Sequence, residues 1–433
     1  MKKNLMIILM TAMFGVSVYA QSVLTYSSER GSDLAGKIAE ITMSPLPDDL
    51  FGGEVNVMLV ANGKLYIGGR FEKADRRVVN NIAMYDGAKW TGLGKGCDGA
   101  VYDMVVIGTD LYVAGEFSRV DAVNTGGVDA NRIARWDGTK WNMLSEQTVD
   151  RQIYALTAQG NDLIIGGNFT KVGGTVATKG VARWNGKAWS AVGEKFDKTV
   201  LALTCIGSDI YAGGFFTLVG DEPANSIAKW DGTKWTEIGN KGLGGTVKSL
   251  ANDGKNVYIG GEFTTAGDGS SMNRIAVWDG QTMKQLGDGV DGEVKRVSVV
   301  GTEVYVSGFF KKAMGGSAAG VAVKETAADS DVTTDEKSDK KKKKGKDKQK
   351  PAEKTKAAGK SKGPKSVETP GIAKWDGSGW TGYPTLGMYA SGTFASSVFN
   401  DVLIIGGSFA VNEAAPSTGT AKLEGGVWVP VVK

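Results

Sequence analysis

The stretch LYIGGRF at residues 65–71 decides how this chain is read, because it comes back. It recurs as LYVAGEF at 111–117, LIIGGNF at 163–169, IYAGGFF at 210–216, VYIGGEF at 257–263, VYVSGFF at 304–310 and LIIGGSF at 403–409. The first small residue of each doublet falls at Gly68, Ala114, Gly166, Gly213, Gly260, Ser307 and Gly406, with spacings of 46, 52, 47, 47, 47 and 99. A fixed period of this size marks an array in which each unit buries its apolar face against the next. An apolar run ending in a pair such as Gly68-Gly69 is a strand that another backbone or side chain approaches closely.

A second signature follows each Phe by some eleven to sixteen residues, except in the sixth unit, where a charged insertion lies between them. It reads IAMYDGAKW, IARWDGTKW, VARWNGKAW, IAKWDGTKW, IAVWDGQTM, IAKWDGSGW and TAKLEGGVW. All 11 Trp occupy its two aromatic positions. The inner position holds Trp136, Trp184, Trp230, Trp278 and Trp375; the outer holds Trp90, Trp141, Trp189, Trp235, Trp380 and Trp428. A Trp at a fixed place in a repeat is a packing device, and burying one contributes about 4–6 kcal/mol gross. The Asp-Gly or Asn-Gly between the aromatics makes a tight turn. In the third unit, strands are expected at Ile153 to Thr157, Leu163 to Phe169, Gly180 to Trp184 and from Trp189 onward. Four short antiparallel strands repeated seven times predict an all-β fold, a seven-bladed β-propeller of four-stranded blades.

The hydrophobic run, Gly-Gly doublet and two spaced aromatics, as in LYIGG, Tyr85 and Trp90, resemble the kelch-type propeller repeat over essentially 55–433. The repeats are also similar to those of fungal cortical bud-site propellers, which carry Gly-Gly-x-Phe followed by a Trp-Asp-Gly turn. The WDG turns look like WD repeats, but that family's Gly-His signature is absent. Copper radical oxidases resemble the chain in fold only, because their metal needs His. Sialidase Asp boxes place the Trp five residues after the Asp; here it follows by four. The resemblance implies a fold and leaves the activity open.

With 433 residues, 41% hydrophobic, the chain can bury a large core. It has 63 Gly, only 9 Pro, 2 Cys and no His. The missing His excludes Ser-His-Asp and Cys-His nucleophile pairs and every His-ligated metal site; carboxylate, Lys, Tyr and Cys chemistry stays open. No cofactor or metal is expected. Cys97 occupies the slot of Leu243 and Val290 and reads as a small buried hydrophobe, and Cys205 ends a first strand. Two free thiols, neither catalytic, are expected.

Residues 1–20 have the n-region, apolar stretch and Val18-x-Ala20 site of a signal peptide. The mature chain is therefore expected to be exported and soluble, in a periplasm, on the cell surface or outside the cell. Residues 21–54 form a lead that can take part in ring closure. The segment 324–369 holds 15 Lys against 9 acidic residues, lacks aromatics, and is expected to be a disordered insertion in blade six. It nets +6, so the formal +4 of the whole chain conceals a mature body near −4 once Lys2 and Lys3 are set aside. That balance shows no nucleic-acid footprint. The run Lys340, Lys341, Lys342, Lys343 and Lys344 is a candidate electrostatic tether to anionic envelope polymers or lipid headgroups. Of the two motifs able to begin the third strand of blade six, Val321-Ala322-Val323 and Ile372-Ala373-Lys374, the second carries the turn signature and is assigned to the blade.

The loops from second to third strand vary most and share a face with the inter-blade links, which makes that face the binding candidate. Asp121, Asp129, Asp221, Glu222 and Asp268 lie on these loops. They read as solvated acids; calcium or a sugar-cleaving carboxylate pair is the sharper alternative. The functional expectation is a binding or scaffold propeller, monomeric, that engages an envelope protein or glycan. The alternatives are a carbohydrate-active lyase or glycosidase without His, and a structural envelope protein tethered by its basic insert. No catalytic residue is assigned.

Overall fold

The computed structural model describes residues 54–383, except 75–76, 87–88, 123–125, 146–148, 240, 316–365 and 370, and beyond that span the backbone of seven strands. No helix occurs among the described residues. Each of the first six periods forms one four-stranded antiparallel sheet whose strands bond in chain order. In blade 3 these are Ile153–Gln159, Asp162–Gly167, Val181–Trp184 and Trp189–Ala191. Register is set at both ends: Leu163 faces Trp184, and Trp184 faces Trp189 across the Asn185-Gly186 turn. That turn needs a left-handed residue, supplied by Gly186 at φ 87°.

The first strands of the six complete blades are Glu54–Ala61, Val101–Ile107, Ile153–Gln159, Val200–Ile206, Val247–Asn252 and Glu293–Val300. Each packs beside the next. Met388–Phe399, paired with Val402–Val411, packs beside both Glu293–Val300 and Glu54–Ala61, so the first strands run round a closed ring. The fold is a β-propeller. Six blades are four-stranded; the hairpin stands where the seventh repeat belongs, compatible with the period count.

The core lies between blades. One cluster joins Val57, Tyr66 and Ile82 of blade 1 to Val101, Met104 and Trp141 of blade 2, and similar clusters bridge blades 2–3, 3–4, 4–5 and 5–6. The doublet glycines make this contact possible. A Cβ on Gly213 would sit 2.4 Å from Cγ1 of Val247 on the next blade, far inside contact distance. The Phe two residues after the doublet plugs the same seam, and Phe117, Phe169, Phe216 and Phe263 are fully buried.

The variable loops are more structured than their composition suggests. Four fold as small hairpins, for example Lys171–Val172 with Val176–Ala177. Each link leans on its neighbouring loop through a bridge, as in Cys97 with Val120, Phe196 with Val219 and Leu243 with Ala266. A link carboxylate locks the pair: Asp150 accepts the N–H groups of Thr170 and Lys171, and Asp98, Asp197 and Asp291 do the same at the equivalent links.

Blade six takes Ile372–Trp375 as its third strand. The expected insert, 324–369, lies outside the described residues except for its last four. Ser366–Glu368 pairs with Lys312–Met314, and the buried Thr369 donates its N–H to the Lys311 carbonyl. These four residues belong to the blade because their backbone groups find partners there. In the lead, Ser22–Ser28 pairs with Lys3–Leu9 and with Ile41–Pro45, which in turn pairs with Ala421–Glu424. The rest of 1–20 and of 21–53 lies outside the described residues.

Candidate functional site at the channel mouth

Every first strand is bulged at the same place. The register slips between Val55 and Val57, Val101 and Asp103, Ile153 and Ala155, Val200 and Ala202, Val247 and Ser249, and Val294 and Arg296. A bulge re-aims the extra residue. The bulged residues are Asn56, Tyr102, Tyr154, Leu201, Lys248 and Lys295. Flanking positions repeat, with Val or Ile before the bulge and Met, Leu or Val two after it, because they fill the inter-blade seam. The bulged position and the one following differ from blade to blade. Within strands whose other core positions repeat, this variation leaves several of these positions open to something other than packing.

The bulges sit where the first strands leave the links, at the link-face mouth of the central channel. Three groupings form there. Tyr102 and Tyr154 stack with centroids 5.5 Å apart and planes inclined by 22°. Arg70 approaches Glu116 at 2.5 Å. A hydrogen bond from Tyr102 holds the Glu116 carboxyl below the usual range, and burial pushes the Tyr102 phenol up. On the other side Lys248 bridges Glu262, at 2.7 Å, and Glu293, while Lys295 reaches Glu293 at 2.9 Å and lies over the Phe309 ring. Burial opposes the Lys248 charge, but these two carboxylates outweigh it and hold its pKa up. Phe309 and Phe215, each just after its doublet, expose 40% and 43% of their surface.

Below the mouth the channel holds an open cavity of about 280 Å³, lined among the described residues by first-strand residues. One layer down from the bulges stand Val57, Asp103, Ala155, Ala202, Ser249 and Arg296. Most are small, and the two charged ones meet across the channel, Arg296 reaching Asp103 at 3.4 Å. Asp103 also accepts the Leu156 N–H at 2.7 Å, and Ser249 Oγ accepts that of Val297. Each thus ties the next blade to its own. Burial pushes the Asp103 carboxyl up, against the opposing pull of Arg296.

The residues singled out from the sequence lie elsewhere. Trp90, Trp141, Trp189, Trp235 and Trp380 are buried in the outer hairpins, each 5.1–5.7 Å from its inner partner Tyr85, Trp136, Trp184, Trp230 or Trp375. Trp278 is half-buried opposite Met283, and the Trp428 side chain is outside the described residues. Gly68 abuts Val101, and Gly69 donates its N–H to the Asn81 carbonyl. The turn acids accept N–H groups two and three residues on, as Asp137 does from Thr139 and Lys140. The loop acids are not brought together. Asp121 accepts the Lys95 N–H, Asp129 pairs with Arg119 at 3.0 Å, Asp268 caps Ser270, and Asp221 and Glu222 stand exposed on blade 4. Among the described residues no three His, Cys, Asp or Glu side chains are grouped to hold a metal. Cys97 is buried in a seam, its thiol pushed well up; burial pushes that of Cys205 to about 11. Lys340 to Lys344 lie outside the described residues.

The sequence reading missed the mouth. Its signal was present in VYDMVV at 101–106 and VKRVSV at 294–299, where a charge interrupts an otherwise apolar strand.

No protein-family model matches the chain, and no curated protein matches it. Solved structures similar to it include the WD40 β-propeller domain of Doa1, at 11% identity and TM-score 0.45, over 86% of this chain and 98% of that one. The computationally designed Ika8 protein is similar at 14% identity and TM-score 0.36, over 70% and 96%. The GH74 enzyme of Niastella koreensis is similar at 15% identity and TM-score 0.41, over 61% of this chain and 42% of that one.

Proposed function

We propose that this chain is an exported propeller of the kelch type that binds a protein or glycan of the cell envelope through its link face, with the channel mouth at the centre of the contact. The observation that carries this reading is the ring of bulged residues. It offers stacked Tyr102 and Tyr154 and bridged charges, with two exposed Phe beside them, at strand positions that differ from blade to blade. Aromatic rings set beside hydrogen-bonding charges are the usual anchors of a recognition surface.

A hydrolytic role is less well supported. A general acid at neutral pH needs a carboxyl with a raised pKa. Glu116 and Glu262 are held low by Tyr102 and Lys248; Asp103 is pushed up by burial, but one of its oxygens already accepts the Leu156 N–H and the other faces Arg296. The polybasic run remains the basis of the tether reading, in which the propeller is mainly a rigid mount.

Affinity capture from an envelope extract separates these readings, using the mature chain, a chain lacking 324–365, and a Tyr102→Ala/Tyr154→Ala double variant. The binding reading expects the same partner on the first two baits and at least tenfold less on the third. Capture that disappears with 324–365 and survives the Tyr substitutions contradicts it and supports the tether. Product release from a polysaccharide panel supports the enzyme.

A further inference from the structure

We infer that the channel seats the acidic sugar of a glycan, its carboxylate resting on the Arg296 guanidinium. This rests on the reading of the link face as a binding face and names the group that enters it.

The argument begins with hydrogen-bond supply. A guanidinium offers five N–H donors in a planar fork suited to a carboxylate. Among the described residues Arg296 spends them on one contact, to Asp103 Oδ1 at 3.4 Å, where a well-formed pair of this kind closes to about 2.7–2.9 Å, often through two bonds. Asp103 does not depend on it, because its other oxygen accepts the Leu156 N–H at 2.7 Å. The side chain that spans the channel is therefore held loosely, with donors to spare, beside an open cavity. Arg296 and Asp103 stand on blades 6 and 2, so the Arg296 guanidinium reaches across the channel to the opposite wall.

Size and surface narrow the ligand. About 280 Å³ lies at the small end of ligand cavities, which suits one six-membered ring rather than an extended chain. Ala155 and Ala202 leave the wall smooth, and the Ser249 hydroxyl stands in the same layer. Above it Lys248 lines the opening, and Tyr102 and Tyr154 form an aromatic rim against which the next sugar can lie. A compact polyhydroxylated ring with one carboxylate fits this sequence of surfaces. A neutral sugar offers the Arg296 fork hydroxyl acceptors only, without the charge and paired oxygens of a carboxylate.

The test uses glucuronate and glucose, which differ at the carboxylate, and acetate, which has the charge without the ring. Calorimetric titration of the mature chain is expected to give saturable glucuronate binding, with glucose and acetate at least tenfold weaker. Arg296→Gln is expected to abolish the preference for glucuronate over glucose. Asp103→Asn, which keeps an acceptor for the Leu156 N–H and removes the competing charge, is expected to bind glucuronate severalfold more tightly. The inference is overturned if glucuronate binds no better than glucose or acetate, or if Asp103→Asn weakens binding. If it falls while envelope capture still depends on Tyr102 and Tyr154, the binding face stands without its acidic sugar.

Discussion

Asp231 shows how one repeated residue sets a property of the whole molecule. Its carboxylate accepts from the Thr233 hydroxyl and from the N–H groups of Lys234 and Thr233, which hold its pKa down to about 2. Asp137 and Asp279 are held low by the same turn. An acid whose folded pKa lies below its unfolded value, near 4, stabilises the fold above that value and stops doing so as pH falls through the folded one. The melting temperature is thus expected to drop between pH 4 and pH 2. Asn185 fills this turn in blade 3 and accepts the same N–H groups. The triple variant Asp137→Asn/Asp231→Asn/Asp279→Asn should therefore fold and show a shallower acid slope; an unchanged slope would rule the turns out as its source. The doublet glycine makes a steric prediction. Gly213→Ala drives a methyl into Val247 and should cost about 1–3 kcal/mol in denaturant unfolding, much of it recovered by Val247→Ala.

Among the elements, the outer hairpins and the links hold neighbouring blades together through hydrogen bonds as well as apolar packing. Trp141 Nε1 donates to the Leu93 carbonyl of the preceding blade at 2.7 Å, whereas the buried Trp189 Nε1 has no partner among the described residues. Trp141→Phe should therefore cost about 1 kcal/mol more than Trp189→Phe; equal costs would assign both residues to packing alone. Removing a link carboxylate by Asp197→Ala should speed amide exchange at Thr217 and Leu218 while leaving the equivalent amides of blade 3 protected. The strands, turns and aromatic pairs were legible in the sequence for a physical reason. A seam that recurs asks for the same residue each time, so Gly68, Phe71 and Trp90 announce themselves by period. Tyr102, Lys248 and Arg296 are not demanded by packing and differ between blades, so no period reveals them. Their meaning depends on a bulge that shows only in the strand register. The links were read as connectors because Asp98, Asp150, Asp197 and Asp291 act on residues about 20 positions away.

For the whole molecule, the account turns on closure. Blades that each contact only their neighbours make an open array unless the last reaches the first, and only a closed ring encloses a channel. The hairpin Met388–Phe399 with Val402–Val411 supplies that contact. The Asp103–Arg296 pair depends on it, joining residues 193 positions apart on opposite walls of the channel. A double-mutant cycle of unfolding free energies with Asp103→Asn, Arg296→Gln and the combined variant tests closure most directly. Residues in one network couple by about 0.5–3 kcal/mol, and distant ones add independently. The closed ring predicts coupling within that range. Additive losses would mean that Asp103 and Arg296 do not meet across the channel, and the site built on them would go with that contact.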